Sequence, residues 1–313
     1  GIRLQTSGST GMPRAIRMPK NAMVHSALST GEYLGLEEGT RALLCLPARS
    51  IAGKMMLVRA LVLGWNLELK PPDSNPLEGL LKPVDFAAMV PMQLEASLDK
   101  SDKISTILVG GAPLSKALLA RIPEDGISIY ESYGMTETAS HIALRKLCRV
   151  PEGKAPETVL PPFRALPWVE ISTDDRGCLS IHTSYLPENP VVTNDLVTLE
   201  SEDTFRWKGR IDHVVNSGGV KLIPEQLESK LSPLISNPFF LTGMPDETLG
   251  EKLVLLVEGS KDDSLLENIR ESSEMDRYEV PREVHFLESF DYTPTGKINR
   301  PETLKTFQKE SEQ

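Results

Sequence analysis

The chain has 313 residues, enough to bury a sizeable core and to divide into two domains. Its net charge of −10 argues against a general nucleic-acid binder, which presents a basic face. It leaves a small anionic ligand open, because local donors hold phosphate within an acidic protein.

The three cysteines, Cys45, Cys148 and Cys178, are far apart and odd in number. They suggest thiols in a reducing compartment rather than a disulfide framework or a CxxC metal site. The histidines are scattered without HExxH spacing. The longest apolar run, MMLVRALVLGW at 55–65, is too short to span a bilayer and carries Arg59. With no secretory leader pattern, a cytoplasmic protein with no nucleic-acid partner and no membrane span is expected.

In chain order, the first feature is TSGSTGMPR at 6–14. A loop rich in glycine and hydroxyls turns backbone N–H groups onto an anion, and Arg14 adds charge-assisted donors. The spacing is not Walker A, and on composition alone a flexible linker stays open. ALLCLP (42–47) is a short apolar run closed by proline, hence a buried strand. IAGKMMLVRALVLG (51–64) has helical length and ends on glycine. NLELK, DFAAMVP, ISTILVGG and ISIYESYG follow as strands, with helical PMQLEASL and PLSKALLARI between them. Strands alternating with helices predict βαβ units and a mostly parallel sheet, with ligands beyond the carboxyl ends of the strands. The loops GGAP (110–113) and ESYGMTE (131–137) fall there.

From about Val150 proline-rich sequence leads into short strands, VEIST, CLSIHT, DLVTL and TFRW, which predict an antiparallel β subdomain over 151–210. A third texture over 211–313, with helices at IPEQLESKL and DSLLENIRES and strands at FFLTG and KLVLLVE, predicts a small α+β domain. The fold class is therefore α/β: a core over 1–210 and a small C-terminal α+β domain over 211–313.

Single motifs are ambiguous. In YGMTE, Tyr133 can stack on a flat ring, Thr136 can bind a phosphoryl oxygen and Glu137 can hold Mg²⁺; Glu137 can equally cap a helix. Asp195 in TNDL can accept from ribose hydroxyls or sit as an ordinary strand-edge aspartate. Lys297 in YTPTGKINR reads alone as a solvated charge.

The ordered set over 6–300 resembles the adenylate-forming acyl-CoA synthetase superfamily. That resemblance implies two half-reactions: a carboxylate and ATP give an acyl-adenylate and pyrophosphate, then the acyl group passes to the thiol of CoA. It implies ATP, Mg²⁺ and coenzyme A as partners, in a monomer or homodimer. Thr6, Ser7, Gly8, Ser9, Thr10 and Gly11 match the phosphate loop, with Arg14 where relatives usually have lysine. Gly110, Gly111, Ala112 and Pro113 match the adenine-side loop. Glu131, Ser132, Tyr133 and Gly134 lead into Thr136, matched to the α-phosphate, and Glu137, matched to Mg²⁺. Asp195 matches the ribose carboxylate with Arg210 beside it, and Lys221 a position that faces phosphate. Lys297 matches the lysine of adenylation, Asp212 the hinge, and Gly218 and Gly219 the loop on the CoA side.

Within the superfamily, LCLPARSIAGKMMLVRALVLG, VPMQLEASL and ESYGMTETASH resemble the o-succinylbenzoate–CoA ligase branch of menaquinone synthesis. There Arg59 matches an arginine facing the second carboxylate of the substrate, with Ser50 nearby; a snorkelling surface arginine is the other reading. Arg49 and Ser50 stand where many relatives have an aromatic–histidine pair, which keeps another aryl or acyl acid open. The chain begins just before the phosphate loop and is abbreviated at 184–190, so a fragment, a short form or a non-catalytic adenylate-binding module are further readings.

Overall fold

The computed structural model describes residues 1–5, 15–151, 153–293 and 297–311. The phosphate-loop residues Thr6, Ser7, Gly8, Ser9, Thr10, Gly11 and Arg14 lie outside the described residues. A hairpin of β1 (Ile2–Gln5) and β2 (Ala15–Met18) flanks them.

Helix α1 (Lys20–Leu34) follows, then β3 (Arg41–Leu44), α2 (Ile51–Leu63), β4 (Asn66–Leu69), β5 (Val84–Met89), α3 (Pro91–Ser97), β6 (Ile104–Val109), α4 (Lys116–Ala120) and β7 (Ser128–Gly134). Strands β4, β3, β5, β6 and β7 lie side by side in that order and all run parallel. The mostly apolar sequences of β3, β5 and β6 follow from being covered on both faces. Ala42, Leu44, Phe86 and Leu108 pack on the face of α1 and α2; Leu43, Cys45, Ala87 and Ile107 pack on the face of α3 and α4. The alternation along each strand divides the core into these two layers.

The same sheet continues antiparallel. It adds β8 (His141–Lys146) and, after the short helix α5 (Pro156–Val159), β9 (Phe163–Ala165), β10 (Glu170–Thr173), β11 (Cys178–His182), β12 (Val191–Leu199) and β13 (Thr204–Arg210). The strand order is β10-β11-β12-β13-β9-β8-β7-β6-β5-β3-β4, one sheet of 11 strands. Segment 151–210 thus extends the main sheet instead of forming a sheet of its own. β9 makes the join, pairing with β8 on one side and β13 on the other.

The remainder comprises β14 (Val215–Ser217), β15 (Val220–Leu222), α6 (Pro224–Leu231), β16 (Phe239–Asp246), β17 (Gly250–Glu258), α7 (Leu265–Glu271), β18 (Glu283–Leu287) and α8 (Arg300–Ser311). Its five-stranded sheet has its own two-sided core. Leu253, Leu255 and Val257 face one layer; Val254 and Leu256 face the other with Phe290 and Phe307. No helix among the described residues is long and apolar enough to cross a membrane.

Candidate active site

The carboxyl ends of β5, β6 and β7 carry the loops that the sequence singled out. Gly110 and Gly111 leave β6 at a tight turn: Gly110 N–H donates to Met89 O at 3.2 Å, and Gly111 has φ +89°. A Cβ on Gly110 would overlap Ser132 Oγ, so only glycine fits. The Ser132 hydroxyl donates to Val109 O at 3.0 Å and ties β7 to β6. Ala112 and Pro113 continue this loop. Glu131 is held by Arg145, whose Nε and second terminal nitrogen lie 2.7 and 2.6 Å from one carboxylate oxygen.

After Gly134 the chain turns sharply. A Cβ there would overlap the backbone of Ser140 and His141, and Ala139 is left-handed at φ 64°. Such backbone strain in a non-glycine residue collects at functional sites. The Thr138 hydroxyl braces the turn, accepting from Met135 N–H at 3.1 Å and lying 2.7 Å from Ser140 O. Thr136 and Glu137 occupy the single 3₁₀ turn that results. Both are half-buried, and among the described residues neither side chain has a hydrogen-bond or ion-pair partner.

Tyr133, Asp195, Arg210 and Asp212 form one bonded chain. The Tyr133 hydroxyl donates to Asp195 Oδ2 at 2.6 Å, and its ring packs against Phe163 and Phe205. Burial first, and the Asp195 charge second, push the Tyr133 hydroxyl well above its ordinary pKa, so it stays a donor. Trp207 Nε1 donates to the other Asp195 oxygen at 3.1 Å. Arg210 stands 3.8 Å from Asp195 and grips Asp212 at 2.9 and 2.8 Å. Burial alone would raise the Asp212 carboxyl; the paired guanidinium outweighs it and holds it below its usual range.

Arg59 on α2 is among the largest fully buried side chains of the described residues, 1% exposed. Full burial excludes the snorkelling reading and lowers its pKa to about 10. Its guanidinium meets Thr30 Oγ1 (3.3 Å), Ser140 Oγ (2.9 Å), His141 Nδ1 (3.4 Å) and Met56 Sδ (3.8 Å), all neutral groups. Among the described residues it has no carboxylate partner. Helix α2 places it firmly. Ser50 caps the start, its Oγ accepting from Gly53 N–H at 3.1 Å and donating to Pro47 O at 2.7 Å, while left-handed Gly64 closes the end. Both hydrogen-bonding roles of Ser50 are thereby used locally.

The remaining candidates sit on the C-terminal unit. Gly218 and Gly219, at φ +58° and +84°, make the two-residue turn between β14 and β15, as a hairpin with left-handed central residues requires. Lys221 is exposed on β15. Lys297 is exposed, and its carbonyl accepts from Thr293 N–H at 2.7 Å. Neither lysine shares a hydrogen bond or ion pair with Glu137, Asp195 or Arg59 among the described residues. The two units meet at Gly209, where a Cβ would press on Ile223 and Glu225 of the region that opens α6. Glu225 pairs with His213, and Arg300 reaches Glu228 at 2.7 Å. Thr30, Ser140, His141 and Trp207 border the candidate residues and were not singled out from the sequence. Ser140 and His141 had a cue, their place at the end of ESYGMTETASH.

The fold is that of the adenylate-forming enzymes, and the chain is an ATP-dependent, AMP-forming acyl-CoA synthetase. The chain belongs to the AMP-binding enzyme family, which matches it over residues 4–175. It is similar to an acyl-CoA synthetase (AMP-forming)/AMP-acid ligase II-like protein from Dyadobacter fermentans, at 41% identity over 97% of this chain and 89% of that one, with a TM-score of 0.62. The 2-succinylbenzoate–CoA ligase of Staphylococcus epidermidis is 26% identical over 94% of this chain and 67% of its own length. The o-succinylbenzoate coenzyme A synthetase of Bacillus subtilis, solved with ATP and magnesium, shares the fold at a TM-score of 0.80 and 22% identity, over 96% of this chain and 69% of that one.

Proposed function

We propose that this chain is an ATP-dependent acid–thiol ligase that converts o-succinylbenzoate to its CoA thioester through an acyl-adenylate, releasing pyrophosphate and AMP. The observation that carries the choice of acid is Arg59, a buried cation among neutral partners. An uncompensated buried charge is costly, and a substrate carboxylate would offset it. A diacid with one carboxylate to react and one for Arg59 meets that demand, and o-succinylbenzoate is such a diacid. The 2-succinylbenzoate–CoA ligases among the relatives support the same reading.

In the first half-reaction a carboxylate oxygen of the acid attacks the α-phosphorus. The new O–P bond forms as the bond to the bridging oxygen breaks, and pyrophosphate leaves with the electron pair. The substrate itself is the nucleophile, so the protein supplies position and charge. Lys297 would bridge the attacking carboxylate and the α-phosphate, and the Thr136 hydroxyl would donate to a phosphoryl oxygen. Asp195 would accept from the ribose hydroxyls, steadied by Tyr133 and Trp207. Gly110, Gly111, Ala112 and Pro113 would border the adenine, while the 6–11 loop with Arg14, and Lys221, would face the phosphates.

The residues present fit Mg²⁺. Among the described residues Glu137 offers a carboxylate with no cation against it, and they hold no group of three ligating side chains that would cage a metal. One carboxylate plus phosphate oxygens and water is the usual arrangement for this ion. When bound, it neutralises charge that develops on the phosphates. In the second half-reaction the sulfur of CoA, its proton lost to solvent, attacks the acyl carbonyl. The bond to AMP breaks and AMP leaves. Asp212 would be the pivot that exchanges Lys297 for the Gly218–Gly219 turn at the site.

Acid-dependent exchange of labelled pyrophosphate into ATP, across a panel of aryl and alkyl acids, tests this. Exchange should be fastest with o-succinylbenzoate; robust exchange on another acid and none on this one would sink the assignment.

A further inference from the structure

The neutral groups around Arg59 form a closed network that admits a single arrangement of protons. The guanidinium has no acceptor, so His141 Nδ1, 3.4 Å from the Arg59 terminal nitrogen, must accept. The imidazole proton is then on Nε2, 3.1 Å from Thr30 Oγ1. The Thr30 hydrogen is committed to Ser26 O at 2.8 Å, which leaves its oxygen to accept from His141 Nε2 and from Arg59 Nε. Ser140 Oγ accepts from Arg59 at 2.9 Å and lies 3.2 Å from His141 Nδ1, so Arg59 and Ser140 share the one lone pair of that nitrogen. Every polar atom of His141 and Thr30 is satisfied. The other terminal nitrogen of Arg59 meets only the Met56 thioether, a weak acceptor.

We propose that His141 is a positioning residue that sets acid specificity: it fixes the Arg59 guanidinium from the side of β8 while leaving its charge to be neutralised by the second carboxylate of the substrate. The inference rests on the reading of Arg59 as the acid-binding cation. The chemistry of position 141 follows. A carboxylate there would pair with Arg59 and remove the demand for a diacid; an apolar residue would leave the guanidinium unheld. Burial and the adjacent Arg59 charge both keep His141 neutral, as the network requires.

The test compares KM values in pyrophosphate exchange for o-succinylbenzoate, for the same acid with a methyl group in place of the succinyl carboxylate, and for ATP. His141→Leu should raise KM for the diacid by about tenfold or more and leave KM for ATP unchanged. His141→Asn, which restores an acceptor near Nδ1, should stay within about threefold of the parent chain. His141→Glu should erase the preference for the diacid over its methyl analogue, and it serves as the second variant should His141→Leu not fold. Equal rises for acid and ATP, no rise in either, or an undiminished diacid preference in His141→Glu overturns the inference. Arg59→Met separates the two levels. If it leaves KM for the diacid unchanged, the reading of Arg59 fails; if it raises that KM while His141→Leu does not, only the role of His141 fails.

Discussion

His141 makes a quantitative prediction about stability against pH. It is buried with its folded pKa well below the ordinary 6.5, through desolvation first and the Arg59 charge second. A group with a depressed folded pKa contributes stability that is present above its unfolded pKa and is lost as pH falls below it, because the unfolded chain then binds a proton that the folded one refuses. Each unit below about 6.5 removes about 1.4 kcal/mol until the folded value is reached. Going from about pH 7.5 to about pH 5 therefore costs up to about 2 kcal/mol from this residue, a ceiling set by its unfolded pKa. Urea unfolding followed by circular dichroism at the two pH values, in the parent chain and in His141→Asn, isolates the effect. The parent chain should lose more stability than the variant, by up to about 2 kcal/mol. Equal losses would mean that His141 titrates normally in the folded chain, and the proton arrangement around Arg59 would be wrong.

Three further outcomes follow from the same geometry. Asp195→Ala leaves the Tyr133 hydroxyl and Trp207 N–H without their acceptor, so unfolding free energy should drop by about 1–3 kcal/mol and KM for ATP should rise; urea titration and exchange kinetics check both. Arg300→Met strips the half-buried Glu228 of its cation and should destabilise the C-terminal unit by about 1–3 kcal/mol, read by protease sensitivity of 211–313; an unchanged rate of cleavage would contradict it. Lys297→Ala should abolish pyrophosphate exchange yet spare thioester formation from supplied acyl-adenylate, and equal loss of both half-reactions would remove the role given to Lys297.

The parallel half of the fold was legible because its signals are local. Helix α2 announces itself by its length, its apolar spacing and the Gly64 that ends it, and β5 and β6 by apolar runs. Helix α1 was not read at all, for a physical reason: its buried face includes Ser26, Ser29, Thr30 and Gly31, so it lacks the stripe of large apolar residues that marks a helix. The continuity of the sheet through β9 was equally hidden, since pairing across a proline-rich stretch leaves no periodic trace. Arg59 was singled out through resemblance, but its burial was not visible, because an arginine on an apolar helix usually reaches water. Its partners come from α1 and from the turn after Glu137, far apart in sequence, and only the folded chain brings them together. The roles given to 6–11 and Arg14 rest on sequence alone.

The central claim is that this chain joins an acid to a thiol at the expense of ATP cleaved to AMP. Incubation of the purified chain with ATP, Mg²⁺, CoA and o-succinylbenzoate, followed by mass spectrometry, tests it most directly. The account predicts AMP and o-succinylbenzoyl-CoA in equal amounts, with both lost in Lys297→Ala. Formation of ADP in place of AMP, or of AMP without any thioester, would contradict it.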